Sequence, residues 1–303
     1  MFIIKHKKIF IGFSVFLIVL SIACMVFFGF NVGIDFKGGA LTEVAYEGVR
    51  PSQEELRAPL DSLGFGSITL QPTGEKGYIV KSRDLVDQEH LQLLEAMSGG
   101  TKESLKEISF NSIGPSVGKE LTRKSIIALI LVSLAIISFI AYAFRKVSEP
   151  VSSWKYGLIA IVTLLHDVVI PAGIFAIFSH YLGAELDTLF VVAILTILGL
   201  SVSDTIVIFD RIRENLRLNT ENKVKEVFSL TVGKSLEQSF ARSIATSLTV
   251  ILVLISLVLF GPITIKYFAL MLTAGMFLGT YSSIFLASSL LVWWEERQAQ
   301  KVA

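Results

Sequence analysis

Asp204 stands in the stretch GLSVSDTIVIFDRIREN, Gly199 to Asn215, which carries no other charge until Asp210. The run from Thr188 to Phe209 is long and apolar enough to cross a bilayer but for that carboxylate. A second apolar run, Tyr156 to Phe178, holds His166-Asp167 near its middle. An ionisable group at the centre of a membrane helix costs about 2.5–3.5 kcal/mol even on the lenient insertion scale, so all three side chains should face other helices or a wet cavity. A carboxyl group can also escape that cost by taking up a proton. Proton carriage is therefore the chemistry these residues fit.

The countercharge for Asp204 is sought by helix spacing. Arg211 is seven residues on and shares its helix face, but lies about 10 Å further along the axis and is a poor direct partner. Arg242, in FARSIATSLTV at the start of another apolar run, reaches a depth near that of Asp204 if the two helices pack antiparallel. Asp204 and Arg242 are thus expected to form an intramembrane pair whose association changes with protonation. The plainer alternative is a static ion pair locking two helices, or an Arg242 that reaches back to the interface. For His166 and Asp167 the choice is between a share in the proton route and burial for structure, the histidine against a backbone carbonyl and the aspartate against a serine or threonine. Pro171, four residues after Asp167, is expected to bend the helix and free a carbonyl.

The elements that must position these groups follow from composition. Hydrophobic residues make up 52% and charged residues 17% of the 303, too apolar for a soluble domain, so the chain reads as a polytopic α-helical membrane protein. Six stretches suit spans of about 20 residues: Ile9 to Phe30, Ser125 to Phe144, Tyr156 to Phe178, Thr188 to Phe209, Ser243 to Ile265 and Tyr267 to Trp294. The last two nearly meet, with Gly261 and Pro262 breaking the pattern and Lys266 marking the turn. Lys5, Lys7, Lys8, Arg145, Lys146, Lys155, the basic residues from Arg211 to Arg242, Arg297 and Lys301 all fall on one side of six spans. The positive-inside rule makes that side cytoplasmic, with both termini. Trp154, Trp293 and Trp294 fall at the same interface. A cleaved signal peptide would also begin with basic residues, but the first apolar run is too long for one. One cysteine, Cys24, allows no disulfide framework or cysteine metal site, and the chain carries no P-loop or nucleophile–base pair. No enzyme is expected, no cofactor beyond the proton as coupling ion, and no nucleic-acid partner.

The domains are therefore 1–30, a cytoplasmic start and first span; 31–124, an external domain; 125–209, spans two to four; 210–242, a cytoplasmic amphipathic segment of one or two helices; and 243–303, spans five and six with the C-terminal end. Residues 31–124 read as strand, helix, two strands, helix, strand, the βαββαβ order of a ferredoxin-like α+β sandwich. In it Ser52 opens a helix with a glutamate three residues on, and His90 is expected at the surface. In the sixth span Gly275 and Gly279 form a GxxxG that permits close helix packing.

Several motifs in order now resemble one family. NVGIDFKGG (Asn31 to Gly39), SIGPSVGKEL (Ser112 to Leu121), HDV in the third span, SVSDTIVIFDRIREN in the fourth and RSIATSLTV in the fifth resemble the SecF family of the bacterial protein translocase, within the SecD/SecF proteins and the wider RND superfamily. The family motif covers Gly33, Asp35, Phe36, Gly38 and Gly39, a segment shared with SecD, and Asp210, Arg211 and Arg213, which point to SecF. Ser203 departs from the family, which often has asparagine before the aspartate. The resemblance implies a six-helix half that pairs with SecD, associates with the SecYEG channel, takes YajC as a further subunit, and uses the proton motive force to draw unfolded polypeptide out through the cytoplasmic membrane. It ties proton flow to Asp204 and Arg242 and assigns no role to His166 and Asp167. The alternatives are a proton-coupled RND-type exporter of small solutes, which would need a larger external region, and a structural scaffold for a partner membrane protein, which would be indifferent to Asp204.

Overall fold

The computed structural model describes residues 2–99, 105–143 and 153–302; Arg145 and Lys146, counted above for orientation, lie outside the described residues. In chain order the first elements are α1 (Phe2–Lys5), α2 (Lys7–Phe28), β1 (Asn31–Val32), α3 (Ile34–Lys37), β2 (Gly39–Tyr46), α4 (Gln53–Ser62), β3 (Thr69–Thr73), β4 (Gly77–Ser82) and α5 (Asp87–Ser98). There follow β5 (Leu105–Ile113), α6 (Pro115–Ala143), α7 (Ser153–Leu182), β6 (Glu185–Leu186), α8 (Thr188–Glu221), α9 (Phe228–Phe260), α10 (Ile263–Tyr281), a π-helical turn Ser282–Ala287 and α11 (Ser288–Val302). Contacts divide the chain into two compact units: Met1–Asn31 with Ala128–Ala184 and Leu189–Ala303, and Val32–Ile127 with Glu185–Thr188.

Six helices of the described residues are long and apolar enough to cross a membrane: α2, α6, α7, α8, α9 and the continuous run through α10 and α11. They are not equivalent. In their most apolar windows, α7, α8 and the α10–α11 run bury 56%, 50% and 61% of residues, against 11%, 6% and 17% for α2, α6 and α9. A helix apolar on all faces and buried by its neighbours is a central one, so the helices that carry His166, Asp167 and Asp204 form the inside of the bundle.

Small residues set the closest approaches. A Cβ added to Gly173 of α7 would lie 2.4 Å from the Ser21 Cβ of α2, and one added to Gly275 of α10 would lie 2.3 Å from Ile197 of α8. The GxxxG therefore packs α10 onto α8 within this chain. The break before α10 falls at Gly261-Pro262, where the Gly261 N–H donates to the Leu257 carbonyl at 2.9 Å. Lys266, read as the turn, sits inside α10 instead, because proline suits a helix start and lets the next helix begin at once.

At one end of this unit α2, α7 and α11 are tied together. Lys7 meets Glu296 at 2.5 Å, and Lys155, nearly fully buried, pairs with Glu295 at 3.3 Å and with Gln298. Trp154 stands edge-on to Trp294 at 5.2 Å, and the Arg297 guanidinium lies 4.2 Å over the Trp293 ring. Residues 210–241 are not separate surface helices but arms of the spans: α8 runs unbroken to Glu221 and α9 starts at Phe228. Asn215 bridges the arms to Ser235 at 2.8 Å and Gln238 at 2.9 Å, and Val232 and Leu236 are buried. At their turn, Lys234, with Thr231 and Asn219, holds the Glu226 carboxyl below the usual carboxylate range.

The second unit has the βαββαβ order expected, with β3, β4, β2 and β5 adjacent in that sequence and every pair antiparallel. Alternating burial along β2 supplies Ala40, Val44 and Tyr46 to a core shared with Leu56, Leu60 and Leu93 of α4 and α5. Ser52 and Glu55 close the capping box at 3.3 and 2.9 Å. His90, expected at the surface, is only 9% exposed: its ring stacks on Phe110 at 3.7 Å and its Nε2 stands 3.4 Å from Glu107. A flat amphipathic ring gains more there than a solvated one does.

Gly33 to Gly39, unread as structure from sequence, is a one-turn helix with a purpose. The Gly33 N–H donates to the Leu186 carbonyl at 2.9 Å, and Lys81 meets Glu185 at 2.6 Å. Asp35 Oδ2 accepts from the Thr188 backbone N–H at 2.9 Å, so a carboxylate caps the start of α8 from a distant segment. Gly39 is held at φ +146° with room for no Cβ, since one would meet the Ser82 carbonyl at 2.8 Å. Asp35→Ala is expected to cost about 1 kcal/mol at this cap, read as roughly fivefold faster hydrogen exchange of the Thr188 amide. Asp35→Asn, which keeps an acceptor oxygen, should retain the protection.

Candidate functional site

The helix α8 presents Ser201, Asp204 and Thr205 along one side because residues three and four apart share a helix face. Each meets a different neighbour. Ser201 Oγ donates to Asp167 Oδ2 of α7. Thr205 Oγ1 and Ser283 Oγ of the π-helical turn are 2.8 Å apart. Asp204 is half-buried and lines a cavity of about 10 Å³ with Ile197, Ser201, Gly275, Gly279 and Thr280, about the space that one water needs. The cavity lies where the two glycines of α10 leave no side chains against α8.

Asp167 is the more fully held carboxylate. It is wholly buried, and it accepts from His166 Nδ1 at 2.8 Å, from Ser282 Oγ at 2.7 Å and from Ser201. Each hydrogen bond to a charged group contributes about 1.5–3 kcal/mol, so the three offset a large part of the cost of burying the carboxylate. His166 is equally buried, its Nε2 has no hydrogen-bond partner, and its ring stacks at 6.0 Å on Tyr281. Tyr281 in turn lies 3.4 Å from Ser14 of α2. Of the structural alternative, the aspartate does meet serines, from α8 and the π-helical turn, whereas His166 bonds the Asp167 carboxylate and not a backbone carbonyl.

Asp204 has no such compensation. Its Oδ2 is buried without a hydrogen-bond partner. Ser243 of α9 is the hydroxyl that bears on it and Arg242 the cation, yet Ser243 Oγ is itself without a partner of bonding geometry. No ion pair joins Asp204 to Arg242 among the described residues, and Arg242 is exposed while Ser243 is buried. Depth alone placed Arg242 beside Asp204; the turn of α9 points the next residue inward. Arg211 pairs instead with Glu214 at 2.8 Å and Arg213 with Asp210 at 3.7 Å, both within α8, and Arg213 also donates to the Ala143 carbonyl of α6 at 3.4 Å, which ties the arm to that helix.

The hydroxyls were the part sequence reasoning missed. Ser201, Thr205, Ser247, Thr280, Ser282 and Ser283 are all buried, and Thr280 Oγ1 donates to Ser247 Oγ at 2.5 Å. Their only advance signal is the pairing of small hydroxyl residues at helical spacing on apolar helices. Taken together, the site has one carboxylate satisfied by three donors and one with an open oxygen beside a water-sized space, and Ser201, a donor to the first, also lines that space. Such an arrangement can take up, hold and release protons inside the membrane.

The sequence pattern of the family described as "Protein export membrane protein SecD/SecF, C-terminal" matches residues 93–297. The chain is 40% identical to a protein translocase subunit SecF from Thermobaculum terrenum, over 99% of this chain and 96% of that one. It is 35% identical to a protein translocase subunit SecF from Anaerolinea thermophila, over 97% and 94%. Among solved structures, the crystal structure of SecDF from Thermus, described as a translocon-associated membrane protein, superposes with a TM-score of 0.80 at 30% identity. That match covers 97% of this chain, which spans 38% of the longer solved chain.

Proposed function

This chain belongs to the SecD/SecF family of protein export membrane proteins, and from that premise we propose that it is the SecF-type subunit that turns proton motive force into late, ATP-independent movement of exported polypeptide across the bacterial cytoplasmic membrane. The observation that carries the reading is the unsatisfied Asp204 oxygen beside a water-sized cavity between buried helices. Moving one charge through 100 mV is worth about 2.3 kcal/mol, close to the 2.5–3.5 kcal/mol cost of an ionised carboxylate at mid-membrane. One proton can therefore decide between two packings of the helices around Asp204. In the ionised packing Arg242 comes to the carboxylate; in the protonated one the pair stands apart.

The partner is a SecD-type subunit supplying a second six-helix half, a reading supported by the longer solved chain of which this one spans 38%. The complex works beside the SecYEG channel, with YajC as a further subunit. Both termini and the arms of α8 and α9 are cytoplasmic, and the βαββαβ unit is external, where it engages emerging, unfolded chain. The basic residues gathered at the ends of α2, α7 and α11 support that orientation. No metal or organic cofactor takes part; the proton is the coupling ion.

The test uses membrane vesicles prepared with and without this chain. Export of a preloaded substrate, with the ATP-driven motor spent, is expected to accelerate when a proton gradient is imposed only in vesicles that contain the chain. Equal acceleration in both preparations would overturn the proposal.

A further inference from the structure

We infer that Asp167 is a second proton-binding carboxyl, in exchange with Asp204 through the Ser201 hydroxyl and the cavity, and that Ser282 is the rotor that lets it hold either protonation state. The inference deepens the proton-driven reading above and rests on it. The first ground is that Ser282 has two acceptors for one hydrogen. Its Oγ lies 2.7 Å from Asp167 Oδ2 and 3.0 Å from the Gly279 carbonyl. With Asp167 ionised, the hydroxyl donates to the carboxylate. When a proton arrives, an O–H bond forms at Oδ2, that O–H donates to Ser282 Oγ, and the Ser282 hydrogen turns to the Gly279 carbonyl. Delivered through Ser201, the proton breaks the Ser201 O–H bond as the one at Oδ2 forms and the Ser201 O–H is remade from the cavity side, and neither the Asp167 oxygens nor the Ser282 hydroxyl is left unpaired in either state.

The second ground is the route. Ser201 donates to Asp167 Oδ2 and also lines the cavity that Asp204 lines, so a proton leaving Asp204 for a water there is one hydroxyl from Asp167. The third is the surroundings. The titratable groups around the pair are His166 on its own helix, Tyr281 of α10 against the His166 ring, and Asp204 of α8 across the cavity; α2 contributes the hydroxyl of Ser14. Among the described residues none of these is a fixed cation that would hold Asp167 ionised. The His166 Nε2 beside them is buried without a hydrogen-bond partner.

The state of Asp167 also reaches the helix packing. Ser282 opens the π-helical turn and its neighbour Ser283 contacts Thr205, the residue after Asp204. Turning the Ser282 hydroxyl changes one of the two bonds by which that turn grips α7 and α8.

The test reads protonation directly, by pH-difference infrared spectroscopy of the complete complex in lipid vesicles. Asp204→Asn is expected to leave one pH-dependent carboxylic acid C=O band that disappears in the double variant Asp204→Asn/Asp167→Asn. Ser282→Ala should move the midpoint of that band by about one pH unit, the size of one hydrogen bond to a charged group. Ser288→Ala, a buried hydroxyl with no partner, should not move it. Identical bands in the single and double variants, or an unmoved midpoint in Ser282→Ala, would overturn the inference. Where Asp167→Asn fails to assemble, the Ser282→Ala midpoint alone decides. Because no export is measured, a failure here is distinct from a failure of the export assay.

Discussion

Asp204→Asn is expected to abolish the acceleration of export by an imposed proton gradient, leaving vesicles that carry the variant no faster than vesicles lacking the chain. Asparagine has the shape of a protonated aspartate but cannot release a proton, so the helices around it keep one packing whatever the gradient. Assembly should survive. The Asp204 oxygen that the change replaces has no hydrogen bond to lose, and the side chain borders a cavity with space for a water. The contrast between lost stimulation and intact co-purification with the SecD-type partner is the measurement. Undiminished stimulation would show that the cycle does not use this carboxyl. The change is neutral and isosteric, so a loss could not be ascribed to a hole or a clash in a core that tolerates neither.

Arg242→Gln is expected to slow gradient-driven proton uptake by roughly a hundredfold, with Arg242→Lys keeping a sizeable part of the rate. The argument is the cost of a lone charge. An ionised Asp204 without a countercharge costs about 2.5–3.5 kcal/mol, and each 1.4 kcal/mol is a factor of ten in population. Ser243 now faces the carboxylate and Arg242 is exposed, so the pair forms only after α9 turns or the long side chain swings inward. The glutamine variant can make either movement without gaining anything from it. Uptake followed with a pH-sensitive dye inside vesicles of the reconstituted complex reads the effect, and a wild-type rate in Arg242→Gln would exclude the arginine from the cycle.

The charged members of this site were legible in the sequence because Asp167 and Asp204 interrupt runs that otherwise hold no charge, and the membrane allows few reasons for that. Facing was not legible. Depth follows from counting residues along a helix, but azimuth changes by about 100° per residue, so a reading by depth selected Arg242 where the fold turns Ser243 inward. The arms of α8 and α9 were shortened in prediction because apolar composition ends at Phe209, whereas the helix does not: from Ser201 to Val232 there is no glycine or proline to stop it, and the chain reverses near Lys223 at φ 55°. The hydroxyls escaped for a different reason. Serine and threonine satisfy themselves on the carbonyl one turn back, as Thr163 does on Ile159 at 3.1 Å, so nothing in the order of residues marks Ser201 and Ser282 as the ones that reach Asp167.

The π-helical turn at Ser282–Ala287 gives the last span one residue more than an α-helical path would need there. Return of that turn to α geometry rotates everything beyond it by about 100°, and α11 with its 15 residues swings as a unit. Glu295, Glu296 and Trp294 would then leave Lys155, Lys7 and Trp154. The ion pairs and edge-to-face indoles at that end therefore hold the rotation of α11 that the π-helical turn beside Asp167 sets.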